Sequence, residues 1–319
     1  MPAIALSAAL LQVRRSLSAV LLLFFLTGLF CSVNAALTFS GPPSYRNDGL
    51  HFIKRHAAAI PFRSPGTEAL LRALLTGDRS LLTKETVAIF RRSGASHILA
   101  LSGLHLGIIY SVLAASCSVC GGSPAGRKLR LIIIVATCGL YSYASGMSPS
   151  VTRAFLFILI REVSLILHRK CTLVHLLGCT LLLQTALWPA SAETIGFRLS
   201  YLAMAGIAFV FPFLRNLYPR EDGGMFARAD LTRKIYEAVV LSASCQAFTA
   251  PLVLYTFGTI PRYFIITNLI ALPLTSALMY SAIAAITLSA IGICPDALVA
   301  VTDHLADALT ESLGIIADM

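Results

Sequence analysis

Apolar and polar positions in this chain alternate on the scale of whole helices. Apolar runs fall at about 97–117, 130–146, 151–168, 172–188, 197–214, 236–258 and 263–293, separated by short connections carrying charge, glycine or proline. A run of about 20 such residues is long enough to cross a bilayer as a helix. An earlier apolar core from about Ser18 to Phe30 and a final stretch from Ala297 complete the pattern. It predicts an all-α, polytopic transmembrane helical bundle of about seven to nine spans. The run 263–293 is too long for one ordinary span, and Pro273 falls a third of the way in, preceded by Asn268. A broken or re-entrant helix near Pro273 is therefore expected, a form that lipid tolerates only where protein covers it or it lines a cavity. The end, with Asp303, His304, Asp307, Glu311 and Asp318 amid apolar residues, reads as an interfacial amphipathic helix or a marginal span.

The first 96 residues divide in two. Residues 1–39 carry Arg14 and Arg15, an apolar core and then Val33-Asn34-Ala35, the order of a signal peptide or an uncleaved signal anchor. Residues 40–96 open on Gly41-Pro42-Pro43 and hold nine Lys or Arg against four acidic residues. Two short helices are expected there. Ser64-Pro65 starts one, over Glu68 to Leu75, and Gly77 ends it; the other runs from about Lys84 to Arg92 after Thr83, with Gly94 as a left-handed stop. Leu70, Leu71, Leu74 and Leu75 share a face that lies on the membrane or on the helical bundle. The remainder, 97–319, is the transmembrane domain.

Composition agrees with the pattern: 57% of the residues are hydrophobic, 13% are charged, and the mean hydropathy is +0.79. A soluble domain is nearer a quarter charged, so this is a membrane protein in contact with the lipid bilayer. The net charge of +10 fits topogenic Lys and Arg in cytoplasmic loops and also a polyanionic ligand. Arg127, Lys128, Arg130, Arg169, Lys170, Arg215, Arg220, Arg228, Arg233 and Lys234 fall in alternate connections, while 146–150, 188–196 and 259–262 hold only Glu193 and Arg262. The positive-inside rule then puts 40–96 outside the cytoplasm. The basic residues of that segment argue the other way, at a length where the rule weakens. Eight cysteines are scattered through apolar runs, and Cys117-x-x-Cys120 has no second pair or nearby loop histidines to complete a metal site. No metal and no cofactor is expected.

Candidate chemistry lies in the polar residues within apolar runs. Ser102 and His105 are three apart, and on a helix they share a face. A nucleophile reading needs a base, and His175 is the candidate from another run; Ala100-Leu-Ser-Gly103 resembles the Gly-x-Ser-Gly of rhomboid-type intramembrane proteases without its first glycine. The alternative is packing, with Gly103 and Gly107 as a small-xxx-small face and Ser102 bonding across it. Arg153 and Arg161 lie eight residues apart, about 12 Å along a helix. Arg153 near the outer end is expected to snorkel to headgroups. Arg161 near mid-span needs a partner or water, since an arginine there costs roughly 2.5–3.5 kcal/mol to insert. Glu162 is adjacent but points elsewhere. Arg161 is thus the leading pore-facing cation, with Arg153, His105, Ser102, Arg198 and Asn268 as further lining candidates. A groove with positive charge and flat aromatic faces moves a single nucleic-acid strand without reading bases, and Tyr110, Tyr141, Tyr143, Tyr201, Tyr255 and Phe257 are available faces. Interfacial aromatic belts explain the same residues.

Ser96-His-Ile-Leu-Ala-Leu-Ser-Gly-Leu-His-Leu106 resembles the signature of the bacterial competence family of DNA-internalisation channels (ComEC type). Ala73-Leu-Leu-Thr-Gly-Asp-Arg-Ser80 is similar to the motif before that family's first shared span. Ser148-Pro149-Ser150 with Arg153-Ala154, Trp188-Pro189 with Gly196-Phe-Arg-Leu-Ser-Tyr201, and Pro251 through Ile260-Pro261 to Asn268-Leu-Ile-Ala-Leu-Pro-Leu274 resemble later landmarks in the same order. The family more often has Gln at the position of Arg198. The resemblance spans Glu68 to Leu274 and implies a channel domain, not an enzyme, moving single-stranded DNA across the cytoplasmic (inner) membrane during natural transformation. Larger members carry an external OB-like domain, and 40–96 is too short for a complete one. Many carry a metallo-β-lactamase-like nuclease domain whose His-x-His-x-Asp-His motif is not found here, so a separate nuclease or OB-like domain and other competence proteins are expected partners. The competing readings are a rhomboid-like intramembrane serine protease and a non-transporting membrane scaffold.

Overall fold

The computed structural model describes residues 50–120, 123–218, 227–259, 262–293 and 295–319. The signal-like segment 1–39, Gly41-Pro42-Pro43, Arg220 and Ile260-Pro261 lie outside the described residues. Every regular element among those described is helical. Helices α1 (His51–Ala59), α2 (Pro65–Thr76), α3 (Lys84–Arg92) and the single turn α4 (Ser96–Leu99) come first. They are followed by α5 (Gly103–Ser116), α6 (Pro124–Ala144), α7 (Pro149–Ile166), α8 (Leu173–Leu187), α9 (Ile195–Phe209) and α10 (Phe211–Arg215). The last are α11 (Ala227–Phe257), α12 (Phe264–Ala290) and α13 (Asp296–Ala317).

Local signals set most of these boundaries. Pro65 occupies the first turn of α2, and Gly77 ends the helix in the left-handed region (φ 73°), its N–H donating to the Ala73 carbonyl at 3.0 Å. Thr83 caps α3 by accepting the Thr86 N–H, and Gly94 follows at φ 81°. Ser123, Thr172 and Thr194 cap α6, α8 and α9 in the same way.

The expected span 97–117 is not one helix. The chain is extended at Ala100 (ψ 135°) and restarts at Ser102, so α4 and α5 are separate. Ser102 is the N-cap of α5 and shares a capping box with His105; the Arg79 Nε–H donates to the Leu99 carbonyl at 3.1 Å and ties off the end of α4. Hydropathy runs across this break unchanged, which is why it does not register there.

The break expected at Pro273 is absent. Helix α12 runs through it for 27 residues, about 40 Å, and α11 runs likewise through Pro251. A proline inside a helix removes one N–H donor, and here the helical backbone continues on both sides of it. Among the described residues three helical stretches are long and apolar enough to cross a membrane by length and composition: Ile195–Arg215, Thr232–Phe257 and Phe264–Ala290. Helices α5 and α8 are apolar but have 14 and 15 residues, while α7 carries Arg153, Arg161 and Glu162.

The largest core among the described residues joins the first and last described helices. Leu70, Leu71, Leu74 and Leu75 of α2, Phe90 of α3 and Ile98 of α4 pack with Leu278, Met279, Ala282 and Ala285 of α12 and Val299, Ala306, Leu309 and Leu313 of α13. The apolar face of α2 is thus spent on the bundle. Helix α13 buries Val299, Thr302, Asp303, Ala306, Leu309, Leu313 and Ile316, a helical stripe, against protein. Two of its acidic residues also have protein partners: Asp303 accepts the Arg63 N–H at 2.9 Å and Asp307 accepts the Ser64 hydroxyl at 3.1 Å. Two smaller cores follow, one of α5, α6 and α7 around Leu106, Ile134 and Val151, the other of α8 and α9 around Leu177 and Phe197. Helices α9 and α11 approach so closely that a Cβ on Gly206 would collide with the Ser244 carbonyl.

Candidate functional site

Helices α5 to α9 carry two polar clusters, one toward each end of α7. The first is built on Arg153, in the second turn of α7. Its side chain does not snorkel: the residue is 8% exposed, and its guanidinium lies 5.7 Å from the centroid of the Tyr201 ring on α9. Gln184 on α8 positions that ring, accepting the Tyr201 hydroxyl at 2.9 Å while its own amide donates to the Pro149 carbonyl at 3.2 Å. Ser150 and Ser200 are bonded across the same α7–α9 contact at 3.2 Å. A Cβ on Gly103 would sit 3.4 Å from Arg153 Nη2 and from Ala154, in van der Waals contact, so α5 and α7 lie close at the guanidinium. Arg153 Nη1 is buried without a hydrogen-bond partner. A buried cation in an apolar bundle, satisfied mainly by a ring face, is an expensive arrangement.

The second cluster lies where the last turns of α7 meet α5 and the start of α6. Glu162, 2% exposed, accepts the Tyr110 hydroxyl at 2.7 Å and pairs side-on with Arg130, whose Nη2 and Nε donate at 3.0 and 3.3 Å. Arg161, the next residue back, lies 5.8 Å over the ring of the same Tyr110. Arg161 is exposed, and no carboxylate pairs with it among the described residues. Arg153 is therefore enclosed where a snorkelling side chain was expected, and Arg161 is open. Arg161 is also five residues from the end of α7 rather than near its middle.

The remaining candidates scatter. Ser102 Oγ and His105 Nδ1 are 2.9 Å apart, but this is local capping: Nδ1 also accepts the Ser102 N–H at 3.1 Å, and Oγ accepts the Leu104 N–H at 3.2 Å. Accepting through Nδ1 puts the imidazole proton on Nε2, which is buried and unpartnered, so no third group orients the ring. His175 is not well inside a span; it sits in the first turn of α8, bonded to the capping Thr172. Gly107 has no neighbour within 4 Å of its Cβ position, so only Gly103 of the expected pair makes a close helix contact. Arg198 is exposed and donates to the Ala192 carbonyl at 3.1 Å. Asn268 is half-buried on α12, which builds neither cluster. Gln184 and the Arg130–Glu162 pair were the residues not singled out from sequence. A lone Gln in Leu181-Leu-Leu-Gln184 was the available signal for the first.

The family described as "Competence protein" matches residues 74–319. ComE operon protein 3 of Bacillus subtilis (strain 168) is 23% identical over 265 residues, covering 81% of this chain and 31% of that protein. Recombination protein 2 of Haemophilus influenzae (strain ATCC 51907 / DSM 11121 / KW20 / Rd) is 23% identical over 256 residues, covering 78% of this chain and 31% of that protein. The chain thus spans 31% of the length of the curated relatives it matches. No solved structure matches it significantly.

Proposed function

Because the chain belongs to the Competence protein family, we propose that it is a multi-pass membrane component of DNA uptake in natural transformation, and that it lines the route of a single strand across the bacterial cytoplasmic membrane. In this reading the shorter helices α5 and α8 and the charged α6 and α7 are embedded together with the long apolar stretches Ile195–Arg215, Thr232–Phe257 and Phe264–Ala290. Residues 40–96 face outward, and companion nuclease or OB-like domains and other competence proteins work beside the chain.

The observation that carries the reading is the exposed Arg161 over Tyr110, on a helix whose only acid, Glu162, is buried against Arg130. A surface that keeps its cation open and its carboxylate covered attracts phosphates, and an arginine over an aromatic ring suits a strand passing without base reading. Arg153 with Tyr201 repeats the cation–aromatic pairing two turns earlier, in enclosed form. A protease reading is not favoured, since the Ser102 hydroxyl and the His105 ring are both occupied in capping α5.

The test is uptake of a labelled strand, normalised to the amount of chain in the membrane and made with companion domains present. Arg161→Lys keeps much of the uptake, because charge is what the site supplies. Arg161→Gln loses most of it at normal protein levels. Normal uptake by a well-inserted Arg161→Gln chain removes this residue from the path. Arg198→Gln, which installs the residue more usual in the family, serves as the control and is tolerated.

A further inference from the structure

We propose that Arg130 and Arg161 form a two-guanidinium clamp for a phosphodiester around Tyr110, with Glu162 as the positioning residue that aims Arg130 into it. The inference rests on the DNA-path reading and adds to it a second cation, on another helix, and the residue that orients it.

Glu162 accepts from three donors on two helices: the Tyr110 hydroxyl at 2.7 Å, Arg130 Nη2 at 3.0 Å and Arg130 Nε at 3.3 Å. This bond uses the side edge of the Arg130 fork, its Nε and Nη2, and Nη1 makes no bond to the carboxylate. The carboxylate side chain is 3% exposed and its partner 29%, so the acid holds the arginine from within while the cation reaches the surface. Arg161 covers the ring of the same tyrosine whose hydroxyl meets Glu162. Both guanidiniums are thereby referred to one tyrosine, and these residues together carry an excess of positive charge with the negative end sealed inside.

An anion arriving here could in principle displace Glu162. That would strand a buried carboxylate without its partner, a costly outcome, so the anion takes the Nη1 end of the fork instead. Guanidinium ends match phosphate oxygens in pairs, which a single lysine cannot do. Arg130 is thus more than a topogenic charge, and Glu162 is more than a structural partner.

The probe is a labelled single-stranded oligothymidylate binding to the full chain across a series of salt concentrations. For single strands the logarithmic salt slope changes by about 0.7 per phosphate neutralised. Arg161→Gln flattens the slope by about that amount. The double variant Arg130→Gln with Glu162→Gln also flattens it by about 0.7, although the net charge of the molecule does not change. That equality of charge excludes a general loss of attraction. An effect of Arg161→Gln with none from the double variant overturns the clamp and leaves the DNA path standing; no effect of either overturns both. Should the double variant fail to accumulate, the unsubstituted chain answers the question through an arginine-modifying reagent. The oligonucleotide then protects Arg130 and Arg161 together, and an uncharged methylphosphonate version protects neither. Protection of Arg161 alone overturns the clamp. Protection by phosphatidylglycerol vesicles but not by the oligonucleotide replaces the DNA assignment with a lipid headgroup.

Discussion

Arg153 is where stability and function pull apart, and replacing it with a methionine of similar length separates them. The residue is 8% exposed, one of its terminal nitrogens has no partner, and no carboxylate pairs with it among the described residues. Burying an ion carries an effective penalty of several kcal/mol. Against this stands the Tyr201 ring at 5.7 Å, which returns about 2 kcal/mol in a desolvated setting. The balance is unfavourable, and replacing buried ionic groups by well-packed apolar ones stabilises by about 1–4 kcal/mol. Methionine fills the space beside Gly103 and Ala154 and leaves the Tyr201–Gln184–Pro149 chain of bonds in place. Arg153→Met is therefore expected to raise the thermal midpoint of the detergent-solubilised chain by several degrees and, on the DNA-path reading, to reduce normalised uptake. The measurement is the unfolding midpoint with matched detergent and protein concentration, beside the uptake assay. A lower midpoint, or a lower level of chain in the membrane, refutes the reasoning: it would mean that the guanidinium is worth more to the α5–α7–α9 junction than its desolvation costs.

Two further outcomes follow from the packing and the charges outside the bundle. Gly206→Ala drives a methyl group into the Ser244 backbone carbonyl, which cannot rotate away, and forcing such an overpacked contact costs about 1–3 kcal/mol; a lowered unfolding midpoint is expected, and Gly107→Ala, with open space at its Cβ, is the silent comparison. Asp78 is held well below the usual carboxylate range by Ser80, then Lys54 and Arg72, against the opposing effect of burial. Because the folded group binds its proton less readily than the unfolded one, its contribution is complete above the unfolded value of about 4 and is lost as pH falls through the folded one. Between pH 7 and pH 3 the unfolding midpoint of Asp78→Asn should therefore fall less steeply than that of the unsubstituted chain, and parallel curves would refute the assignment.

How much of this was legible in the sequence depended on whether the deciding interaction was local. The ends of α2 and α3 were readable because Ser64-Pro65, Gly77, Thr83 and Gly94 act on their own neighbours. The break at Ala100 to Ser102 was equally local, yet hydropathy hid it; a serine followed three residues later by an imidazole acceptor was a capping box in an apolar run. Pro273 misled for the opposite reason, since a proline reads as a break and a long membrane-type helix absorbs it. Arg153 differed for another reason. Position along a helix placed Arg153 at the headgroups and Arg161 in need of a partner or water, whereas burial is decided by what crosses α7. Tyr201 and Gln184 come from other helices and enclose the first; Arg130 comes from α6 and takes the acid beside the second. Glu162 is the informative case. From sequence it was a poor partner for Arg161 because adjacent helical residues diverge. Its carboxylate is taken by Arg130 and Tyr110 from the neighbouring helices, and Arg161 stays exposed, so the charge left open to a ligand follows from which helices touch and not from how many charges the helix carries.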